Sequence, residues 1–288
     1  MTAFRDSAKA KLNLTLEVLG RRADGYHEVR SLVAFAGLGD GVELVQGDGL
    51  GLAVEGPFAQ ALDGGNLVTA AAEAAKTQAP SLRLGHFRLV KTLPVAAGLG
   101  GGSADAAAAL RLLAIANPGA LSPSVLAEIA SNLGSDVTAC LASKPALMTG
   151  RGERVAEIRG MPSCGVVLAN PGIPLATRSV YSALDAAPVS HADAAALPEF
   201  GESLERLLAY AAPRGNDLQS AAIGLAPVIG EVLAALGRLD GARLVRMAGS
   251  GPTCFVLFAT EDEAKGAATS LLAAHPNWWV AATTLGGS

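Results

Sequence analysis

The stretch Pro94 to Ala109, PVAAGLGGGSADAAAA, sets Gly98, Gly100, Gly101 and Gly102 within five positions, ahead of Ser103 and a run of alanines. So dense a cluster of glycine weakens helix and strand alike and marks a turn with unusual dihedrals. Upstream, Leu82 to Lys91 (LRLGHFRLVK) predicts a strand, because apolar residues alternate through Phe87 and Leu89. Downstream, Ala104 to Ala116 predicts a helix with Leu110, Leu113 and Ala114 on one face, stopped by Asn117-Pro118-Gly119. A glycine turn feeding a helix start leaves backbone N–H groups free at the positive end of the helix dipole, and such a start binds phosphate. The stretch reads either as a flexible turn without a ligand or as a phosphate loop. It is not a P-loop, since no lysine follows the glycines. Nor is it the dinucleotide fingerprint, whose third glycine would fall on Ser103.

The 288 residues suffice for two modest domains or one large one. Half of them are hydrophobic and 17% are charged, which allows a sizeable core and argues against wholesale disorder. A formal charge of −4 argues against an electrostatic nucleic-acid binder. Cys140, Cys164 and Cys254 are scattered with no C-x-x-C spacing, as expected of reduced thiols in a cytoplasm rather than a disulfide framework or zinc site. No signal core stands at the N-terminus and no run of about twenty apolar residues occurs, so neither secretion nor a membrane span is expected.

Ser7 to Val18 (SAKAKLNLTLEV) alternates as one half-buried strand, with Ala8, Ala10, Leu12, Leu14, Leu16 and Val18 inward. On the other face, Lys9, Thr15 and Glu17 read as solvated, while spacing leaves Lys11 and Asn13 open. Gly20 to Glu28 is a turn-rich loop ending in Tyr26-His27, either ordinary packing or a ligand site. Val29 to Phe35 and Val42 to Val45 predict two strands separated by a turn at Asp40-Gly41. Asn66 to Lys76 predicts a helix; a second is capped by Ser122, starts at Pro123, buries Leu126, Ile129, Ala130 and Leu133, and ends at Gly134. Asp136 comes next, either a local turn-former or a placed base. Lys144 to Glu153 reads as turn-rich and as the end of a first domain, which sets domains at 1–152 and 153–288. Further on, Gly165 to Ala169 predicts a strand, Thr177 to Leu184 carries Tyr181, and Ala187 to Pro198 reads as a surface loop. Helices are expected from Leu218, behind Asn216-Asp217, and over Ile229 to Leu239. Strands Leu244 to Met247 and Cys254 to Phe258 flank a second glycine turn, Ala248-Gly249-Ser250-Gly251-Pro252.

Three separated segments, AKAKLNLTLEVLGRRADGYHEV, PVAAGLGGGSADAAAAL and RMAGSGPTCFVLF, resemble in order and spacing the three motifs of the GHMP kinases. The first, with K-L-N-L followed by G-R-R-A-D-G-Y-H, resembles the branch that phosphorylates 4-(cytidine 5′-diphospho)-2-C-methyl-D-erythritol in the non-mevalonate route to isoprenoids. LGSDV, NPG and GNDL add to the likeness, which covers essentially the whole chain; Ser135 and Ala248 stand where alanine and serine are usual.

The resemblance implies an α+β protein of two domains: an N-terminal ribosomal-protein-S5-like domain carrying ATP, and a C-terminal ferredoxin-like α+β domain, with substrate in the cleft between. It implies that Pro94, Val95, Ala96, Ala97, Gly98, Leu99, Gly100, Gly101, Gly102, Ser103 and Ala104 hold ATP, with Mg²⁺ accompanying it and Ser103 a candidate contact to metal or phosphate. Lys11 would supply positive charge, and Asp136 would take the proton from the acceptor hydroxyl. Tyr26 would stack on the cytosine, His27 would hydrogen-bond its edge, Tyr181 would cover the other face and Asn13 would reach the erythritol end. The acceptor could instead be another small alcohol such as homoserine or mevalonate, which has no base for Gly25-Tyr26-His27 to read. A ligand sensor without turnover is the other alternative, against which the presence of both Lys11 and Asp136 argues. The partner expected is a small molecule, with no nucleic acid and no membrane; oligomeric state leaves no mark in the sequence.

Overall fold

The computed structural model describes residues 2–61, 65–189 and 196–286. The chain opens with β1 (Ala3–Asn13), β2 (Glu17–Arg21), β3 (His27–Gln46) and β4 (Leu50–Glu55), then α1 (Leu67–Gln78) and β5 (Gly85–Val90). Three helices follow, α2 (Gly101–Ala116), α3 (Pro123–Leu133) and α4 (Ser135–Ala142), then β6 (Ala146–Gly150), β7 (Arg154–Glu157) and β8 (Cys164–Asn170). Next come α5 (Thr177–Leu184), α6 (Leu204–Ala211), α7 (Leu218–Leu225) and α8 (Val228–Gly237). The chain finishes with β9 (Leu244–Met247), β10 (Cys254–Phe258), α9 (Glu261–Ala274) and β11 (Trp279–Leu285). Two compact units share it discontinuously: Met1–Ala10, Leu38–Val95 and Gly100–Ser143 form one, and Lys11–Gly37, Ala96–Leu99 and Lys144–Ser288 the other.

In the first unit β4 and β5 pair in parallel, and β5 pairs antiparallel with the second half of β3 from Gly41↔Val90 to Gln46↔Gly85. The central helix is α2, against which α1 and α4 pack, and its alanines Ala104 and Ala106 to Ala109 are buried together with Leu110, Leu112 and Leu113. Small side chains let the neighbouring backbones approach closely. The flanking helices start where their caps direct: Asn66 accepts from the Val68 N–H at 2.8 Å, and Ser122 from the Val125 N–H at 3.3 Å, with Pro123 opening α3 and Gly134 ending it. Arg111 of α2 ties three elements, donating to Asp6 Oδ2 at 2.7 Å and to the carbonyls of Cys140 (2.7 Å) and Leu141 (3.2 Å) at the end of α4.

The expected turn at Asp40-Gly41 does not exist; β3 runs through it unbroken. Asp40 is fully buried, and its carboxylate accepts from Lys91 Nζ and from the backbone N–H groups of Thr92 (2.6 Å) and Leu93 (2.8 Å). Donors distant in sequence therefore claim the side chain that local chemistry would have used to close a turn.

In the second unit the first half of β3 pairs with β2 and β6, and β6 with β7. The expected loop Lys144 to Glu153 thus contains a strand, because apolar Ala146, Leu147 and Met148 are buried against β3. Four antiparallel strands run in the order β11-β8-β10-β9, with α8 packed on β9 and β10, and α9 on β8, β10 and β11. The sequence β8-α8-β9-β10-α9-β11 in that spatial order is the ferredoxin-like arrangement. Val167, Val256 and Phe258 meet Ile229, Val232, Leu236 and Leu271 in its core.

Nor is Ser7 to Val18 one strand, since β1 stops at Asn13 and β2 starts at Glu17. Thr15, expected in solvent, is fully buried: its hydroxyl accepts from the Leu32 N–H at 3.0 Å and its carbonyl from Ser31 Oγ at 2.6 Å. Glu17 is half-buried and pairs with Arg30 at 2.9 Å, whereas Lys9 is exposed as expected. Of the expected loop Ala187 to Pro198, the part before residue 190 bonds along Arg21, and residues 190–195 lie outside the described residues.

Candidate active site

The helix behind the glycine run starts at Gly101, three residues earlier than its alanines suggest, so Gly101, Gly102 and Ser103 form its first turn. No side chain caps this turn; the N-cap is Gly100 at φ 65°, and the Ala104 N–H is bonded to the Gly100 carbonyl at 2.8 Å. The N–H groups of residues 101 to 103 precede that first helical bond and have no carbonyl within the helix to meet. Ahead of them in the chain Ala96 (φ 52°) and Gly98 (φ 76°) are also left-handed. A helix N-terminus with free N–H groups suits phosphate.

Behind the first turn lies a cluster of which the sequence motif contains one member, Asp105, while Lys91 and Asp40 lie outside it. Lys91, Asp40 and Asp105 are almost fully buried, and Lys91 Nζ donates to both carboxylates, to Asp105 Oδ2 at 2.8 Å. Asp105 Oδ1 meets no donor among the described residues. A single carboxylate inside an alanine run is the signal that could have exposed it. Burial, outweighing the pull of Lys91 and reinforced by the Asp40 charge, pushes Asp105 up to about 7. The native state then holds a proton that the unfolded chain has lost from its ordinary value near 3.8 upward. Stability from this group is complete at acid pH and falls as pH rises through about 7. In urea titrations, wild type is expected to lose on the order of 1 kcal/mol between about pH 5.5 and about pH 7.5 that Asp105→Asn does not lose. Parallel profiles of the two proteins would refute this.

Lys11 and Asn13 come together in the second unit, as their shared strand face predicts. Lys11 is 3% exposed, and its Nζ donates to Asn13 Oδ1 at 3.2 Å. Asn13 Nδ2 donates to Ser31 Oγ at 2.8 Å, and that hydroxyl donates on to the Thr15 carbonyl. The chain of bonds fixes the Asn13 amide with its oxygen toward the ammonium. The Lys11 N–H also donates to the Leu99 carbonyl at 2.8 Å, which ties the front of the glycine loop to β1.

The second glycine turn braces the same loop from another side. A Cβ on Gly98 would lie 2.3 Å from the Ala248 oxygen, and the Thr253 N–H donates to the Ala97 carbonyl at 3.3 Å. Asn216 Nδ2 donates to the carbonyls of Met247 and Gly249, both at 2.8 Å, which holds the turn's shape around the cis Gly251–Pro252 bond. Ala248 serves here through its backbone, its N–H donating to the Thr253 carbonyl at 2.8 Å, so a methyl suffices where the resembling motif has a hydroxyl. Ser31 carries no signature in sequence; Asn216 and Thr253 lie inside the segments GNDL and RMAGSGPTCFVLF, but only their partners reveal what they do.

Tyr26 ends a tight turn in which Gly25 is left-handed (φ 84°), its N–H bonded to Asp24 Oδ1 at 3.1 Å. The residue is 52% exposed, and its ring lies under the Arg151 guanidinium, 5.1 Å from centroid to carbon. His27 opens β3 opposite Arg21, and its ring is 4.8 Å from that of Tyr181 on α5, tilted by 34°. Tyr181, expected to cover the face of the cytosine opposite Tyr26, meets the His27 ring. Partial burial and then the Arg21 charge lower the imidazole below its ordinary value, so at neutral pH it offers one donor and one acceptor. Asp136 sits in the first turn of α4 in the first unit, half-buried, a position that suits a carboxylate. Among the described residues no group of three or more His, Cys, Asp or Glu is arranged to hold a metal. No helix there is long and apolar enough to cross a membrane.

Known proteins resemble the chain over its length. Residues 66–144 match the model of the GHMP kinases N terminal domain, and residues 194–277 that of the GHMP kinases C terminal domain. A 4-diphosphocytidyl-2-C-methyl-D-erythritol kinase from Parvibaculum lavamentivorans is 48% identical over 98% of this chain and 98% of its own. One from Methylorubrum extorquens is 47% identical over 99% of this chain and 100% of its own. Among solved structures, a 4-(cytidine 5′-diphospho)-2C-methyl-D-erythritol kinase superposes with a TM-score of 0.78 at 34% identity, over 99% of this chain and 100% of that one.

Proposed function

The chain belongs to the GHMP kinases, in the 4-diphosphocytidyl-2-C-methyl-D-erythritol kinase family, and from that membership we propose how its own residues carry out the reaction. It is an ATP-dependent kinase that transfers a phosphoryl group to the C2 hydroxyl of 4-(cytidine 5′-diphospho)-2-C-methyl-D-erythritol, releasing ADP and the 2-phosphate, in the non-mevalonate route to isopentenyl diphosphate. Kinship over 98% of the chain at 48% identity carries this reading.

Phosphoryl transfer asks a protein to hold the triphosphate, offset its charge and keep an acceptor oxygen in line. The N–H groups of residues 101 to 103 and the positive end of α2 receive the phosphates, with Pro94 to Leu99 shaping the approach. No lysine belongs to the loop itself, so Lys11 supplies the cation that offsets charge developing on the transferred group. Asp136 accepts the proton of the C2 hydroxyl as its oxygen attacks the γ-phosphorus. Asn13, fixed by Lys11 and Ser31, binds the erythritol end. When bound with the nucleotide, Mg²⁺ neutralises phosphate oxygens, and Ser103 is the first-turn hydroxyl offered to it.

Recognition of the cytosine falls to Tyr26, by stacking, and to His27, whose neutral ring pairs one donor and one acceptor with the base edge. Tyr181 holds His27 in place and closes the site beside it. A base with the wrong edge leaves these polar groups unpaired, which discriminates strongly. A cytoplasmic setting accompanies this reading.

ADP release from the protein with Mg-ATP tests it, comparing the cytidylyl substrate with homoserine and mevalonate. Turnover is expected with the cytidylyl substrate alone. Turnover with another alcohol would overturn the roles of Tyr26 and His27, and binding of ATP without turnover of any acceptor would indicate a sensor.

A further inference from the structure

Arg151 has no part in the roles above, yet it is placed with care. It sits in the turn between β6 and β7, flanked by Gly150 (φ 75°) and Gly152 (φ 107°). The ladder Val29↔Gly150 sets that turn beside the start of β3, where Tyr26 and His27 stand. The Arg151 N–H donates to Glu153 Oε2 at 2.7 Å, which fixes the backbone from which the side chain projects.

The guanidinium itself makes no ion pair or hydrogen bond among the described residues. Carboxylates close in sequence to Tyr26 and to Arg151 are engaged elsewhere: Asp24 and Glu28 with Arg22, and Glu153 with the Arg151 N–H and Arg154. What the guanidinium does meet is the Tyr26 ring, at 5.1 Å from the centroid, within cation–π range. The residue is about half exposed, so packing covers it only in part. A planar cation lying against one face limits its rotation and leaves other ring surface open.

We propose that Arg151 is a positioning residue for substrate choice: its guanidinium holds the Tyr26 ring as a rigid platform whose remaining face receives the pyrimidine base. The proposal rests on the reading that Tyr26 meets the cytosine. An aromatic held in its bound rotamer before the ligand arrives loses less freedom on binding, so the advantage falls on affinity for the base and not on the chemical step. Arginine suits this better than lysine, because a flat, weakly hydrated guanidinium stacks where an ammonium stays solvated.

Steady-state kinetics of Arg151→Met, which keeps the aliphatic stem, are the test. KM for the cytidylyl substrate is expected to rise about three- to tenfold, with kcat and KM for ATP within about twofold of wild type. Arg151→Lys should recover only part of the loss. In a Tyr26→Leu background the Arg151→Met change should add nothing further, because the residue through which it acts is gone. An unchanged KM in Arg151→Met would overturn the proposal. So would an undiminished effect in the Tyr26→Leu background, which would mean direct contact with the ligand, or a parallel loss of kcat and ATP affinity, which would mean a structural role. Wild type is assayed first: failure to turn over the cytidylyl substrate would sink the functional reading, whereas turnover with an unaltered Arg151→Met would sink this inference alone.

Discussion

Asp136→Asn is expected to lower kcat about a thousandfold or more while leaving nucleotide affinity within about threefold. The amide keeps the size and hydrogen-bonding shape of the carboxylate but cannot take a proton. An alcohol is a poor nucleophile until its proton has somewhere to go, so the whole loss belongs to the chemical step. Collapse of the helix is not expected to confuse the result. The far end of α4 is held by Arg111 through the Cys140 and Leu141 carbonyls, and Arg111 is itself anchored by Asp6. The nucleotide phosphates, meanwhile, are assigned to the start of a different helix. Single-turnover rates beside an equilibrium titration with ATP separate the two quantities. Turnover within about tenfold of wild type would remove Asp136 from the role of base.

The second large effect is expected at Gly98. Its φ of 76° disfavours any side chain, and an added Cβ would lie 2.3 Å from the Ala248 oxygen, with the Gly251 oxygen and nitrogen at 2.8 and 2.9 Å. These are backbone atoms of a turn already fixed by Asn216, so they have little room to retreat. Gly98→Ala is therefore expected to cost about 2–4 kcal/mol, combining left-handed strain with a steric clash, and to reduce activity by about a hundredfold or more as the loop shifts. Gly119→Ala separates the two contributions. Gly119 has nearly the same φ, 80°, but nothing within 4 Å of an added Cβ, so only the strain of about 1–2 kcal/mol is expected there. Equal urea midpoints for the two variants would mean that the close approach of the two glycine turns contributes nothing.

Where local chemistry decides the structure, the sequence is a good guide. Ser122, Pro123 and Gly134 delimit α3 as expected, because each acts on backbone within a residue or two of itself. Strands β9 and β10 and the helix α1, expected from Asn66, are legible for the same reason. Local signals fail where a distant partner outbids them. Asp40-Gly41 has the composition of a turn, yet Lys91, Thr92 and Leu93 take its carboxylate. Thr15 has the polarity of a surface residue, yet Leu32 and Ser31 satisfy it in the interior. The glycines of α2 conceal its first turn, since glycine is a poor helix former and only the alanines behind it carry the helical signal. Helices α4, α6 and α9 escape the sequence reading, the last despite a clear signal: Thr260 and Glu263 bond reciprocally in a capping box at its start. At the site, the alternation of β1 places Lys11 and Asn13 on one face. The buried charges under α2 and the cation on Tyr26 depend on contacts between segments far apart in the chain, and no spacing announces them.

The place of β11 bears on how the polypeptide is made. It emerges after every other described strand, yet it borders β8 along its whole length and reaches β3 through Leu285↔Ala36. Every residue of β8 is buried in the finished fold. While a ribosome synthesises the roughly one hundred residues between them, on the order of ten seconds, that edge of β8 lacks its partner, and the other edge lacks β10 for most of the same time. An unpaired, largely apolar edge is a template for misassociation between nascent chains. The newborn polypeptide stays exposed to such association until β11 has been made, because β11 covers that edge of β8.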